Sequence, residues 1–178
     1  MRRLVVLGVA AIGLALAARA WFDHAAREAS APVFVDSTGT SLRAAALWFA
    51  SPDGDSLAGE TRELAEVNEL HARLAALVAA LAQGPRQGGV PTLPEGTELL
   101  HAYFEEGGLL TLDLSLPFRQ GFRGGPRAEE MAIGSLVRTL AANVPEARRI
   151  RLVCGGAPLP SLGGHFPLDQ PLDPEDWP

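Results

Sequence analysis

Residues 98–115 read ELLHAYFEEGGLLTLDLS, and this stretch decides the fold. Glu98 to Phe104 runs as one strand, Glu105-Glu106-Gly107-Gly108 turns, and Leu109 to Ser115 returns. Side chains alternate along a strand, so Leu110, Leu112 and Leu114 share one face while Thr111 and Asp113 take the other. The paired glycines supply the positive φ that so tight a reversal needs. The sheet is therefore expected to grow from an antiparallel hairpin.

On the N-terminal side of the hairpin, Leu70, Leu74, Leu77, Val78 and Leu81 recur at helical spacing. Asn68 is the expected N-cap, and Gly84-Pro85 stops the helix. Glu60 to Leu64 reads as a short edge strand, and Leu42 to Ala50 as a buried one closed by Ser51-Pro52-Asp53-Gly54-Asp55. Pro32 to Thr40 is a linker or lead-in strand. On the C-terminal side, Pro117 to Pro126 is a glycine-rich connection and Arg127 to Asn143 a second helix. The inner stripe of that helix is Ala128, Met131, Ala132, Ser135, Leu136 and Leu140, with Glu129-Glu130 suited to its N-terminal dipole. Arg149 to Cys154 is a last strand, with Ile150, Leu152 and Cys154 facing inward. The closing PLDQPLDPEDWP is a tail or an extended edge segment. The order β-α-β-β-α-β, a split βαβ pattern, predicts an α+β domain: a small mixed sheet with two helices on one face.

The N-terminus sets the compartment. Met1-Arg2-Arg3 precedes an unbroken apolar run from Leu4 to Ala18, the pattern of an export signal. Ala18-Arg19-Ala20 has the form of a cleavage site. Extended to Phe22, the helix reaches about 28 Å and spans a bilayer. An uncleaved anchor is the expectation, with Leu4, Leu7, Ile12, Leu14 and Leu16 in lipid and Trp21 and Phe22 at the interface. The expected location is thus the cytoplasmic membrane, single-pass, with the domain on the extracytoplasmic (periplasmic) side; cleavage would make it secreted.

The 178 residues allow one domain with a real core, and 47% are hydrophobic, which excludes long-range disorder. All the basic residues are arginine. The net charge is -6, and because the first 30 residues are net positive the rest is more acidic still. Such a surface is unsuited to nucleic acid or anionic lipid, and no nucleic-acid partner is expected. A single cysteine permits no internal disulfide.

Seven fragments carry a resemblance: LWFASPDGDSL, ETRELAEV, LAALVAALAQGP, LPEGTELL, GLLTLDLS, EEMAIGSLVRTLAANVPEARRIRLVCGG and FPLDQPL. In this order they resemble the GerMN domain across about residues 42–172. The matching positions are Asp53-Gly54 after the first strand, Gly84-Pro85 after the helix, Pro94 and Gly96 in Leu-Pro-Glu-Gly-Thr, Asp113 and Ser115 at a strand end, and Thr139-Leu140 in the second helix. The resemblance implies an exported domain attached to a bacterial membrane, in some members linked to spore formation, germination or envelope signalling. It also implies a fold similar to ring-building motifs of secretion assemblies, without enzymatic activity. The sequence departs in lacking a lipobox cysteine and in carrying a single copy of the domain. The expected organisation is an anchor at 1–30, a linker at 31–41, the domain at 42–172 and an acidic tail at 173–178.

No catalytic, metal or cofactor site is expected. His24, His71, His101 and His165 lack the ligand spacing of a metal site. Cys154 reads as a core thiol, Asp113 as solvent-facing, and Ser115 as the cap of the next turn. The glutamates between Glu60 and Glu69 read as a solvated run. GFRGGP at 121–126 lacks the lysine and hydroxyl of a phosphate loop. Two functions fit. One is an envelope interaction module that binds a partner or another copy of itself through a sheet edge or through Phe118 and Phe122. The other is a binder of small molecules or wall polymer, with a pocket joining Asp113, Ser115 and the loop at 86–96.

Overall fold

The computed structural model describes residues 34–35 and 41–177. The anchor positions Leu4, Leu7, Ile12, Leu14, Leu16, Trp21 and Phe22 lie outside them. Among the described residues no helix is long and apolar enough to cross a membrane. The chain divides into two compact units, Met1–Arg43 and Ala44–Pro178. In the first, β1 (Phe34–Val35) pairs antiparallel with the start of β2 (Ser41–Ala50), Phe34 opposite Leu42.

The second unit continues with β3 (Leu57–Ala65), α1 (Leu70–Ala82), β4 (Leu99–Glu105), β5 (Leu109–Leu114), a short α2 (Leu116–Gln120), α3 (Pro126–Asn143), β6 (Arg149–Cys154) and β7 (Ala157–Pro158). A 3-10 turn at Pro174–Asp176 closes it. The α+β class is as the sequence predicts. The expected single mixed sheet is instead two sheets: β1, β2 and β3 form one, and β4-β5-β6-β7 the other.

The division has a local cause. On α3, Ser135, Thr139 and Asn143 recur every four residues on one face, and they hydrogen-bond the backbone of β2 where a strand would otherwise pair. Asn143 accepts from Ala46 N–H (3.2 Å) and donates to its carbonyl (2.7 Å). Trp48 N–H donates to Thr139 Oγ1 (3.0 Å), and Ser135 Oγ donates to the Trp48 carbonyl (2.5 Å). Two residues further, Val90 N–H closes on the Ala50 carbonyl at 2.9 Å. A helix therefore supplies a polar ladder to the edge of β2. Buried backbone groups must be paired, and side chains serve as well as another strand.

The hairpin forms as its sequence dictates. Gly107 and Gly108 both hold positive φ, and a Cβ on Gly108 would lie 2.8 Å from the Glu146 carbonyl, so only glycine fits there. The pairs Tyr103–Thr111 and Glu105–Leu109 are antiparallel, with a bulge that leaves Leu100 unmatched. On its other side β5 runs parallel to β6, Leu110 opposite Ile150 and Leu114 opposite Cys154. α1 starts one residue later than Asn68 implies: Glu69 is the N-cap, and its carboxylate accepts from His71 and Ala72 N–H.

The core joins Leu47 and Phe49 of β2, Leu74, Val78 and Leu81 of α1, Leu110, Leu112 and Leu114 of β5, Ile133, Leu136 and Leu140 of α3, and Ile150 of β6. α3 is buried almost all round, yet Ala128 of its expected stripe is exposed. Leu172 exchanges two backbone hydrogen bonds with Ile150, so the final segment runs as an edge along β6.

Candidate functional site

A groove of about 670 Å³ lies beside the turn after β2. One wall is that turn, with Asp53, Gly54 and Asp55. The opposite wall is the glycine-rich connection and the start of α3, with Phe122, Arg123 and Arg127. The floor is apolar, from Ala50, Leu93, Pro94 and Met131. Arg127 reaches across the mouth toward Asp55 (3.8 Å) and also bonds Glu130 (2.7 Å). Both arginine and aspartate there are solvent-exposed, so the contact is weak. The Ser51 hydroxyl, followed by Asp55 N–H, holds the Asp53 carboxyl below its ordinary range. The groove thus offers an apolar floor and charged rims of both signs.

The pocket expected from Asp113, Ser115 and the loop at 86–96 does not assemble. Residues 90–94 line the groove, but Asp113 and Ser115 are not part of it. Asp113 is buried rather than solvent-facing, and both its oxygens accept from Gly156 N–H (3.0 and 3.1 Å). The Gly155-Gly156 turn folds back over the strand end and covers it. Ser115 stands at the N-cap of α2 but makes no capping bond. Its hydroxyl accepts from Glu98 N–H (2.9 Å) and donates to the Gly96 carbonyl (3.2 Å). It thereby ties β4 to β5.

The other motif positions sit at chain reversals and in the core. Gly54 (φ 76) forms the β2–β3 turn, and Gly84 (φ 81) ends α1. Pro85 follows. The Pro94 carbonyl accepts from Thr97 N–H and hydroxyl, closing the turn through Gly96. Leu140 is core, while Thr139 belongs to the ladder on β2.

Two buried ionic clusters stand out, one within the run of glutamates that reads as solvated and one at Glu129, which reads as a partner of the helix dipole. Arg62 is buried on β3 against Glu60, and its guanidinium also donates to the carbonyls of Ala80 and Gly84 (3.0 Å each). Glu60 in turn accepts from the N–H groups of Arg86 and Gln87. Burial disfavours its charge, but Arg62 and these two donors outweigh that, and its pKa is lowered. The pair clamps the end of α1. Alternation along β3 puts residues 60 and 62 on the same inward face.

Glu129 is 0% exposed. Its carboxylate turns from the helix axis to accept from the N–H groups of Leu162 (3.0 Å), Gly163 (2.8 Å) and His165 (2.9 Å), and from His165 Nδ1 (2.8 Å). Burial again opposes the charge, and the donors again win, so the carboxyl is held below its ordinary value. A lone glutamate in a helical first turn gives no sequence signal of this, because its partners lie more than 30 residues away.

Cys154 is buried as expected, with Sγ 3.4 Å from the Ser115 carbonyl, and burial pushes its thiol pKa up. Phe118 is fully buried and is no loop tip, while Phe122 lines the groove. Among the described residues no cluster of three or more His, Cys, Asp or Glu could hold a metal ion.

The fold has counterparts of known structure. A Clostridium perfringens protein described as a candidate lipoprotein is 24% identical, with a TM-score of 0.54, over 83% of this chain and 96% of its own. The first GerMN domain of the sporulation protein GerM from Bacillus subtilis is 18% identical, with a TM-score of 0.62, over 75% of this chain and 99% of that domain. The tandem GerMN domains of the same protein match at 17% identity and a TM-score of 0.63, over 76% of this chain and 48% of theirs. These likenesses show the fold alone. No curated protein matches the chain. The family model Germane, described as sporulation and spore germination, matches residues 46–160. That match spans well over half of the sequence, and the chain belongs to the Germane family, with a GerMN-like domain.

Proposed function

We propose that the protein is a non-catalytic interaction module of the bacterial cell envelope. In this reading residues 1–30 anchor it in the cytoplasmic membrane, 31–41 link, and the domain at 42–172 faces the extracytoplasmic side, followed by the acidic end at 173–178. The family's description extends the proposal to sporulation or germination as its setting. The observation that carries it is the state of the polar interior. Glu60, Arg62, Asp113, Ser115 and Glu129 all direct their side chains to backbone groups or to each other. Groups held this way fix loops and are not positioned to bind or activate a substrate. The partner is an envelope protein or a second copy. Anchoring raises its effective concentration, so modest contacts suffice.

Crosslinking in the native envelope tests this: the reading expects specific adducts from the membrane fraction. Recovery of the chain from the cytosol, or catalytic turnover lost on a single substitution, contradicts it.

A second reading, binding of a small molecule or wall polymer, is favoured by the groove itself, which has the size and the apolar floor of a ligand site. Substituting Met131 with Arg would fill the floor. Under this reading it abolishes binding of wall fragments, and under the first it leaves crosslinking unchanged.

A further inference from the structure

We infer that two copies of this chain meet along β4, pairing antiparallel about Tyr103 so that their four-stranded sheets join into one. This names the partner within the module reading and rests on it.

Among the described residues no strand pairs with the outward edge of β4. On β5, the Leu114 carbonyl accepts from Gly155 and the carbonyl of the preceding Gly108 from Arg149, so even-numbered groups there point toward β6. Odd-numbered groups of β5 therefore face β4, where they meet Tyr103 and Glu105. Ala102 and Phe104 consequently direct N–H and C=O away from the sheet. His71 Nε2 donates to the Leu100 carbonyl (3.1 Å), which marks the same outward side. Among the described residues, none hydrogen-bonds the outward N–H and C=O groups of Ala102 and Phe104.

An open edge is normally guarded by charge, proline, a bulge or brevity. β7 is two residues long and ends in Pro158, and β3 carries Glu60, Arg62 and Glu63. On β4 the bulge lies at its start, and from His101 to Phe104 the edge has no such guard. Instead it exposes Tyr103 (58%), Phe104 (42%) and Leu100 (38%), three of the five large exposed apolar side chains of the described residues.

The strand is complementary to itself. With Tyr103 on the two-fold axis, His101 faces Glu105 of the other copy, an attractive pair. Ala102 faces Phe104 of the other copy, small against large, and these are the residues whose backbone groups point outward. Tyr103 faces its own counterpart at the narrow, non-hydrogen-bonded position. A register centred on Ala102 fails on two counts: it needs the Leu100 carbonyl that His71 holds, and it sets Glu106 opposite Glu98. Two-fold self-pairing is the common route to a closed dimer.

The test uses the full chain in mild detergent, followed by sedimentation and by oxidative crosslinking of variants with one added cysteine, the native Cys154 being buried. The wild type is expected at dimer mass. Tyr103→Glu sets like charges on the axis and raises the dissociation constant at least about tenfold with an unchanged circular dichroism spectrum. Glu105→His alone weakens the dimer, and His101→Glu added to it restores the pair. Tyr103→Cys crosslinks to itself, because opposed residues at that position suit a disulfide; Thr61→Cys on β3 does not. A wild type that stays monomeric yet gives specific adducts in the native envelope overturns this interface and leaves the module reading standing. A monomer that crosslinks to nothing overturns both. A dimer unaffected by Tyr103→Glu also overturns the interface.

Discussion

The edge of β2 and the edge of β4 belong to the same compact unit and meet opposite fates. At β2, Ser135, Thr139 and Asn143 take up the backbone of Ala46 and Trp48, and no further strand can add there. At the outward edge of β4, among the described residues, only the Leu100 carbonyl is engaged, by His71. The difference teaches where this fold is closed and where it is available. A third edge, that of β6, is closed by Leu172, and the segment that carries Leu172 is held by Glu129. Ser135, Thr139, Asn143 and Glu129 are thus used to close edges.

Opening the closed edges should have the largest effects. Glu129→Ala removes the acceptor of four donors, one of them buried and three partly buried, and should cost about 3 kcal/mol, with residues 155–177 becoming the first site of limited proteolysis. The same carboxylate sets a pH dependence. Its folded pKa is depressed, so its stabilisation is present above the ordinary glutamate value of about 4.3 and is lost as pH falls through the lower, folded value. Denaturant midpoints should drop across that acid window in the wild type, and the drop should be smaller in Glu129→Gln.

Next in size is Asn143→Ala, which unpairs the N–H and carbonyl of Ala46 together and should cost about 2 kcal/mol in chemical denaturation. Thr139→Val keeps the shape but strands the Trp48 N–H, for a loss of about 1 kcal/mol. At the open edge the expectation reverses. Tyr103→Glu lies on an exposed strand and should change monomer stability by no more than about 0.5 kcal/mol, while association is lost.

The two edges also differ in how far sequence alone exposes them. The hairpin was legible because its signals are local: alternating leucines and a double glycine within eleven residues. Helices α1 and α3 and the burial of Cys154 follow from periodicity in the same way, whereas the short α2 falls inside the stretch that reads as an irregular connection. The ladder on β2 was not. Ser135, Thr139 and Asn143 share a helical face, but nothing local says that a strand some 90 residues away lies against it. For the same reason one mixed sheet was expected where there are two. Asp113 reads as solvent-facing by alternation, and the Gly155-Gly156 turn that covers it belongs to a distant part of the chain. Glu60 and Arg62 sit in a charged run that looks solvated until α1 packs its end against them. Of the groove, Asp53, Gly54 and Pro94 are motif positions in the sequence, whereas the rim arginines carry no signal of their own.

Amide hydrogen exchange of the full chain, read residue by residue across a range of concentrations, compares the two edges within one molecule. The amides of Ala46 and Trp48 should be protected at every concentration, because α3 holds them. Those of Ala102 and Phe104 should exchange fast when dilute and become protected as concentration rises. Equal, concentration-independent exchange at Ala102 and Phe104, or exchange at Ala46 and Trp48 as fast as theirs, would contradict the account.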